Sequence, residues 1–183
     1  ALEYASAALK DDREVVLAAC NQDGHALCWA SDALQADREV VLAACNQNGE
    51  ALEFASDALQ DDREVVLAAC NQNGWALEYA SAAVKDDREV VLAACNQDGR
   101  ALQYASAAMK ADREVVMVAV AQDYQWTLDN PGRVDEFAVR HAPPALQVEF
   151  AGDRIVTHVR NQLRLRSSFF GPFLCAIALP APE

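Results

Sequence analysis

Positive charge is scarce in this 183-residue sequence: 15 Lys and Arg stand against 28 Asp and Glu, a net charge of −13. Binding nucleic acid requires a basic stripe that neutralises phosphates, so that class of partner is excluded. The deficit is uneven. Residues 1–125 hold 22 acidic and 9 basic side chains, whereas residues 126–183 hold 6 of each. The acidic part fits a basic partner surface, or solubility alone. Long apolar runs are also missing. The longest uncharged stretch, residues 167–182, is broken by Gly171, Pro172 and Pro180, and it falls short of the roughly 20 apolar residues of a membrane-spanning helix. Histidine occurs three times (His25, His141, His158), never inside a catalytic motif. That leaves an enzyme as the remotest reading and points to no cofactor. No signal peptide opens the sequence, and residue 1 falls inside a repeat, so the N-terminus reads as processed, truncated or incompletely represented.

What the sequence has in abundance is self-similarity. A 25-residue unit begins at Ala1, Ala26, Ala51, Ala76 and Ala101 without insertion or deletion. Fixed periods of this length mark stacked architectures, in which each unit buries its apolar face against its neighbours. A hydrophobic content of 52% supports a well-buried interior. Each unit carries two helical patterns. The first opens at Asp12, Asp37, Asp62, Asp87 or Asp112, each a good N-cap, followed by Arg-Glu and a run such as Val15-Val16-Leu17-Ala18-Ala19-Cys20. Gly24, Gly49, Gly74 and Gly99 suit the left-handed position that closes such a helix. The second pattern, Ala26–Leu34 and its equivalents, places Leu27, Ala30 and Leu34 on one helical face, with Trp29 and Ala33 beside it. The expected fold is therefore mainly α: a short α-solenoid of tandem hairpins, two helices of about 10 residues each per repeat, over residues 1–125.

The blocks "Asp-Arg-Glu-Val-Val-Leu-Ala-Ala" and "Gly-x-Ala-Leu-x-Tyr-Ala-Ser", together with the period, resemble the DUF4116 repeat family over roughly residues 1–124. The resemblance implies short tandem helical repeats of no assigned activity, so no catalytic residue carries over. The family's distribution in protists, algae and some intracellular bacteria implies, for an algal source, an organellar or photosynthetic assembly.

Positions shared by all five copies are read as structural. The arginines that follow each cap (Arg13, Arg38, Arg63, Arg88, Arg113) are expected to form an ion-pair ladder with Asp and Glu of adjacent repeats, each exposed pair contributing little. The aromatic column Tyr4, Trp29, Phe54, Tyr79 and Tyr104 is expected to be buried between hairpins. The serines Ser6, Ser31, Ser56, Ser81 and Ser106 fall near the end of the second helix, bonding back to a carbonyl or shaping a turn. Asn21, Asn46, Asn71 and Asn96, each followed by Gln, sit in the last turn of the first helix and are expected to satisfy carbonyls and turn amides. Cys20, Cys45, Cys70 and Cys95 stand one helix spacing apart, beyond the ~7 Å limit of a disulfide, and Val120 replaces them in the fifth copy. They read as buried free thiols in a reducing compartment, which favours an intracellular or organellar location. Cys20, His25 and Cys28 make a C-x4-H-x2-C cluster that lacks a fourth ligand and the paired spacing of zinc sites, so no metal is expected.

Function is sought where copying fails. After each glycine come His25, Glu50, Trp75, Arg100 and, in the fifth copy, Gln125, a varying row expected on one solvent-exposed edge; Trp and Arg are favoured interface anchors. The fifth copy loses its glycine, and Trp126–Gly132 reads as a turn. Residues 126–183 are expected to form a small mixed extension, with a short helix over 133–140 and a β-hairpin built on Leu146, Val148, Phe150 and 154–159. Its apolar end, with Phe169, Phe170 and Phe173, either caps the last repeat or docks on another subunit or a membrane-adjacent surface. The leading function is a non-enzymatic scaffold for protein partners. The alternative is an accessory structural subunit of a larger complex, held by the tail and by the N-terminal repeat, whose Leu2, Tyr4 and Leu9 are expected to be exposed.

Overall fold

A computed structural model of the chain describes the backbone of residues 2–129, side chains through Asp123, and the isolated positions Arg140 and Pro144. Apart from those two positions, the expected helix and hairpin of residues 133–159, and Phe169, Phe170 and Phe173, lie outside the described residues. The described part is an α-solenoid of five rungs. Its long helices are α1 (Arg13–Gln22), α2 (Arg38–Gln47), α3 (Arg63–Gln72), α4 (Arg88–Gln97) and α5 (Arg113–Asp129).

The first pattern folds as its caps dictate. Asp12 accepts from the amides of Glu14 (3.0 Å) and Val15 (3.2 Å), and Asp37, Asp62, Asp87 and Asp112 repeat the arrangement. Two of the orphan N–H groups of each helix are thereby satisfied.

The second pattern is not one helix but two pieces. A 3₁₀ helix covers Gly24–Trp29, Gly49–Phe54, Gly74–Tyr79 and Gly99–Tyr104, with a shorter one at Leu2–Tyr4. A short helix follows at Ala7–Lys10, Asp32–Gln35, Asp57–Gln60 and Ala107–Ala111; the fourth rung has a 3₁₀ turn, Val84–Asp86, in its place. The break falls at Ala30-Ser31, where both residues are extended. The serines therefore stand before the short helix rather than near the end of a long one. Their backbone explains the break. Ser31 N–H donates to Lys10 O (2.9 Å), and Ser56, Ser81 and Ser106 donate likewise to Gln35, Gln60 and Lys85 (3.0 Å each), so one main-chain bond ties every rung to its predecessor. A continuous helix would direct those amides inward along its own axis. Ser31 Oγ also donates to Asp11 (2.5 Å), and Ser81 and Ser106 bond in the same way to Asp61 and Asp86.

The glycines are also placed differently from expectation. None adopts a left-handed φ; the closing residue Asp23, Asn48, Asn73 or Asp98 is extended instead. Glycine is required by a close approach: a Cβ on Gly24 would lie 2.5 Å from Ala44 O and 2.9 Å from Asn48 Cβ in the next rung. Where the fifth copy has Tyr124 in place of glycine, α5 runs on to Asp129, so Trp126–Asp129 is helical and not a turn. Replacing the weakest helix former short of proline removes the stop.

Each long helix packs on the next, and each full-length 3₁₀ helix on the next, giving two parallel columns with the core between them. In the third rung Ala51, Leu52, Val65, Val66, Ala69 and Cys70 are fully buried, and the fourth rung repeats the pattern with Ala76, Leu77, Val90, Val91, Ala94 and Cys95. The expected arginine ladder is present. Arg13, Arg38, Arg63 and Arg88 each bond the cap Asp of the next rung, at 3.0, 2.9, 2.8 and 3.2 Å, and the following Glu. The Arg13 guanidinium, with the Val40 amide, holds the Asp37 carboxyl below the usual carboxylate range. These arginines are nearly half exposed, so water and salt screen the pairs. Arg63→Gln is accordingly expected to lower the urea midpoint only slightly, and the difference should vanish near about 1 M salt, where the Debye length is about 3 Å. A large drop that persists in salt would mean that the ladder, not the core, holds the rungs together.

Candidate functional site

The varying row is built by the residue before each glycine. Asp23, Asn48, Asn73 and Asp98 close one long helix and cap the following 3₁₀ helix. Their side chains accept from the amides of His25 (3.0 Å), Glu50 (3.0 Å), Trp75 (3.0 Å) and Arg100 (2.9 Å). Short polar side chains suit such local turns. Because the 3₁₀ helices stack, the four anchored residues fall in register, one per rung.

The row is also cross-linked from rung to rung. Asn48 Nδ2 donates to His25 Nδ1 (2.7 Å), which leaves the proton of the neutral ring on Nε2, 3.8 Å from Glu50 Oε2. Asn73 Nδ2 donates to Glu50 Oε1 (3.1 Å). Trp75 Nε1 donates to Asp98 Oδ2 (2.8 Å), and the same carboxylate takes Arg100 Nη2 at 2.6 Å. Arg100 lies over the Trp75 ring, 5.2 Å from its centroid, a cation–π contact. Burial pushes the Asp98 carboxyl up, but bonds from Arg100, its amide and Trp75 outweigh this and hold it low. Trp75 further meets Tyr104 edge-on at 5.7 Å, and His25 meets Phe54 at 6.4 Å.

His25, Glu50, Trp75 and Arg100 are thus one line of contacts, uneven in exposure. His25 and Glu50 are about half exposed, at 50% and 49% of their side-chain surface, whereas Trp75 and Arg100 are partly buried. Uniform exposure was the expectation; stacking of Arg100 on Trp75 is the reason for the difference. Gln125 lies within α5, after the turn has been lost, and does not extend the row in the same way. The neighbouring aromatic column is more open than expected, from Tyr4 at 86% exposed and Trp29 at 41% to the half-buried Phe54, Tyr79 and Tyr104. The Tyr104 hydroxyl is raised to about 12, by burial and by Glu78 of the preceding rung.

The Asx residues are what sequence reading missed. Their signal was the strict Asp/Asn choice at one position between Gln and Gly, since both side chains cap and few others do. The Asn-Gln pairs that precede them are exposed and leave the turn amides to their neighbour. Cys20, Cys45, Cys70 and Cys95 are free and fully buried, as expected. Cys28 is free and partly exposed. Among the described residues no group of three His, Cys, Asp or Glu is gathered to hold a metal, and no helix is long and apolar enough to cross a membrane.

The family described as "Domain of unknown function (DUF4116)" matches residues 1–35, 37–85 and 87–147. The middle match spans two long helices, α2 and α3, so one family unit corresponds to about two rungs. No curated protein and no solved structure shows significant similarity to the chain. Three tandem matches over most of the sequence, on the two-column stack just described, make this chain a member of the DUF4116 family.

Proposed function

We propose that the chain is a non-enzymatic repeat scaffold that binds a protein partner along the His25–Glu50–Trp75–Arg100 row. The observation that carries this reading is the coincidence of sequence variation with structural alignment. The last position of the unit is the one at which all five copies differ (His25, Glu50, Trp75, Arg100 and Gln125), and Asx caps set the first four in register down one side of the stack. Drift at four unrelated surface sites would not need a shared anchor. The row offers a titratable imidazole and a carboxylate at one end and an indole–guanidinium pair at the other. Trp and Arg dominate binding energy at protein interfaces, so the second pair is the anchor. The acidic charge of the array favours a partner surface of opposite sign.

The test begins with crosslinking of the full chain in its native extract, followed by titration of the purified partner. Trp75→Ala is expected to weaken that titration at least about 10-fold, the scale of a hot-spot loss. Because Trp75 also bonds Asp98, Glu50→Arg serves as a second variant on the exposed part of the row, with melting curves confirming that both fold. A partner that binds both variants as it binds the parent chain would remove the row from the interface.

A further inference from the structure

Most of the contacts that hold neighbouring rungs together repeat with the period. The arginine ladder, the serine main-chain bond and the buried valines recur from boundary to boundary, so none of them tells one neighbour from another. The row is different. Asn48, Asn73 and Asp98 each have two polar side-chain atoms with separate duties. Oδ1 accepts from the main-chain amide two residues on and so caps its own 3₁₀ helix. The second atom meets the row residue of the preceding 3₁₀ helix, 23 positions earlier: Nδ2 of Asn48 meets His25, Nδ2 of Asn73 meets Glu50, and Oδ2 of Asp98 meets Trp75.

The choice between Asn and Asp follows what the earlier residue offers. Nδ1 of His25 and the carboxylate of Glu50 are acceptors, and both meet an amide, which donates at 2.7 and 3.1 Å. The indole of Trp75 can only donate, and it meets a carboxylate at 2.8 Å. Arg100, the next row residue, is also a pure donor, and the Asx residue at the same spacing after it is Asp123. That carboxylate lies against the residue before Arg100: a Cβ on Gly99 would stand 2.6 Å from Asp123 Oδ1. Capping does not dictate the choice, since Asp23 and Asp98 cap at 3.0 and 2.9 Å, as Asn48 and Asn73 do at 3.0 Å. Wrong neighbours would break the match. Glu50 set against Asp98 places carboxylate on carboxylate, and Trp75 set against Asn48 places donor on donor.

We propose that Asn48, Asn73 and Asp98 are the specificity-determining residues of the stack. Each reads the row residue of the preceding 3₁₀ helix, Asn where that residue offers an acceptor and Asp where it offers a donor. Boundaries that are otherwise alike thereby reject neighbours of the wrong type, which matters in an array of near copies, where misassembly between repeats is the characteristic failure. The rule separates donor rows from acceptor rows and does not separate His25 from Glu50. It concerns the edge of the row that faces along the stack, and it is independent of any partner on the outer side.

The boundary at Asn73 is the cleaner one to test, because Asp98 also holds Arg100 of its own helix. Four full-length chains are unfolded in urea at low salt: the parent, Asn73→Asp, Glu50→Arg and the double variant. Asn73→Asp keeps the cap but replaces the donor to Glu50 with a second carboxylate. Glu50→Arg sets a guanidinium against the Asn73 amide. Each single change is expected to raise the unfolding constant about 5-fold, the scale of one lost hydrogen bond. The double variant restores a donor–acceptor pair of the Trp75–Asp98 type, and it should return to within about twofold of the parent. Net charge alone predicts a different pattern. The two single changes move the charge of −13 in opposite directions, so self-repulsion would make Asn73→Asp less stable and Glu50→Arg more stable. A Glu50→Arg chain more stable than the parent therefore overturns the proposal. So does an Asn73→Asp chain that unfolds with the parent, or a double variant in which the two losses simply add.

Discussion

Gly49→Ala is expected to destabilise the array by about 3 kcal/mol, the upper part of the range for overpacked sites, although it adds a single methyl group. An added Cβ would press into Ala69 O and lie 3.0 Å from both Cβ and N of Asn73. Two of these atoms are backbone, in the next rung, and cannot swing aside as a side-chain tip would. Gly49 has no left-handed φ, so alanine suffers no dihedral penalty there and the cost isolates the steric term. To admit the methyl, the turn Asn48–Glu50 must draw away from α3, which loosens the fully buried Val65, Val66, Ala69 and Leu52. In a quasi-one-dimensional stack, stability is a sum of rung terms and interface terms. Weakening one middle interface therefore reduces cooperativity as well as stability. Urea unfolding followed by Trp fluorescence should show a lower midpoint and a shallower transition. A loss within about 0.5 kcal/mol, the usual surface value, would mean that the rungs shift freely, and the close-approach explanation of these glycines would fail.

The same glycines mark the boundary between what could and could not be read in advance. Features local to one helix, or repeated with the period, were legible. Asp12 announces α1 because capping depends on residues two and three positions away. The arginine ladder followed from equal numbers of Arg, Asp and Glu at fixed positions in every copy. The glycine role was not legible, because Gly24 meets Ala44, a contact between rungs that no local rule describes. Nor was the split of the second helix. Leu27, Ala30 and Leu34 fit one helical face, and the bond that breaks it runs from Ser31 to Lys10, in the preceding rung. The site divided in the same way. Variation singled out His25, Glu50, Trp75 and Arg100, but their cross-links, such as Arg100 and Trp75 sharing Asp98, depend on stacking. Partial burial of Trp75 follows from that arrangement, not from its own sequence neighbourhood.

The thiol column yields the other large effect, a loss of stability at alkaline pH. Cys45, Cys70 and Cys95 are pushed up to about 12 and Cys20 to about 11, in each case first by burial; the next thiol or carboxylate along the stack adds to the shift. An unfolded thiol ionises near about 8.5. The folded values lie above the unfolded one, so the unfolded chain releases protons that the folded chain keeps. Stability from this source is complete below about pH 8.5 and is lost progressively as pH rises from there toward the folded values near 11 to 12. Each thiol can remove up to about 1.4 kcal/mol per pH unit in that window, so four acting together can remove about 6 kcal/mol per unit, enough to unfold a typical domain within about one to three units. Urea titrations under reductant at pH 8, 9, 10 and 11 would measure the slope. The control is the quadruple variant Cys20→Val, Cys45→Val, Cys70→Val and Cys95→Val. Val120 fills the equivalent site in the fifth rung at 3% exposure, so the fold accepts valine there. That variant should keep its stability at neutral pH and lose most of the alkaline slope. If it unfolds along the same curve as the parent chain, lysine and tyrosine ionisation account for the loss and the buried thiols are bystanders.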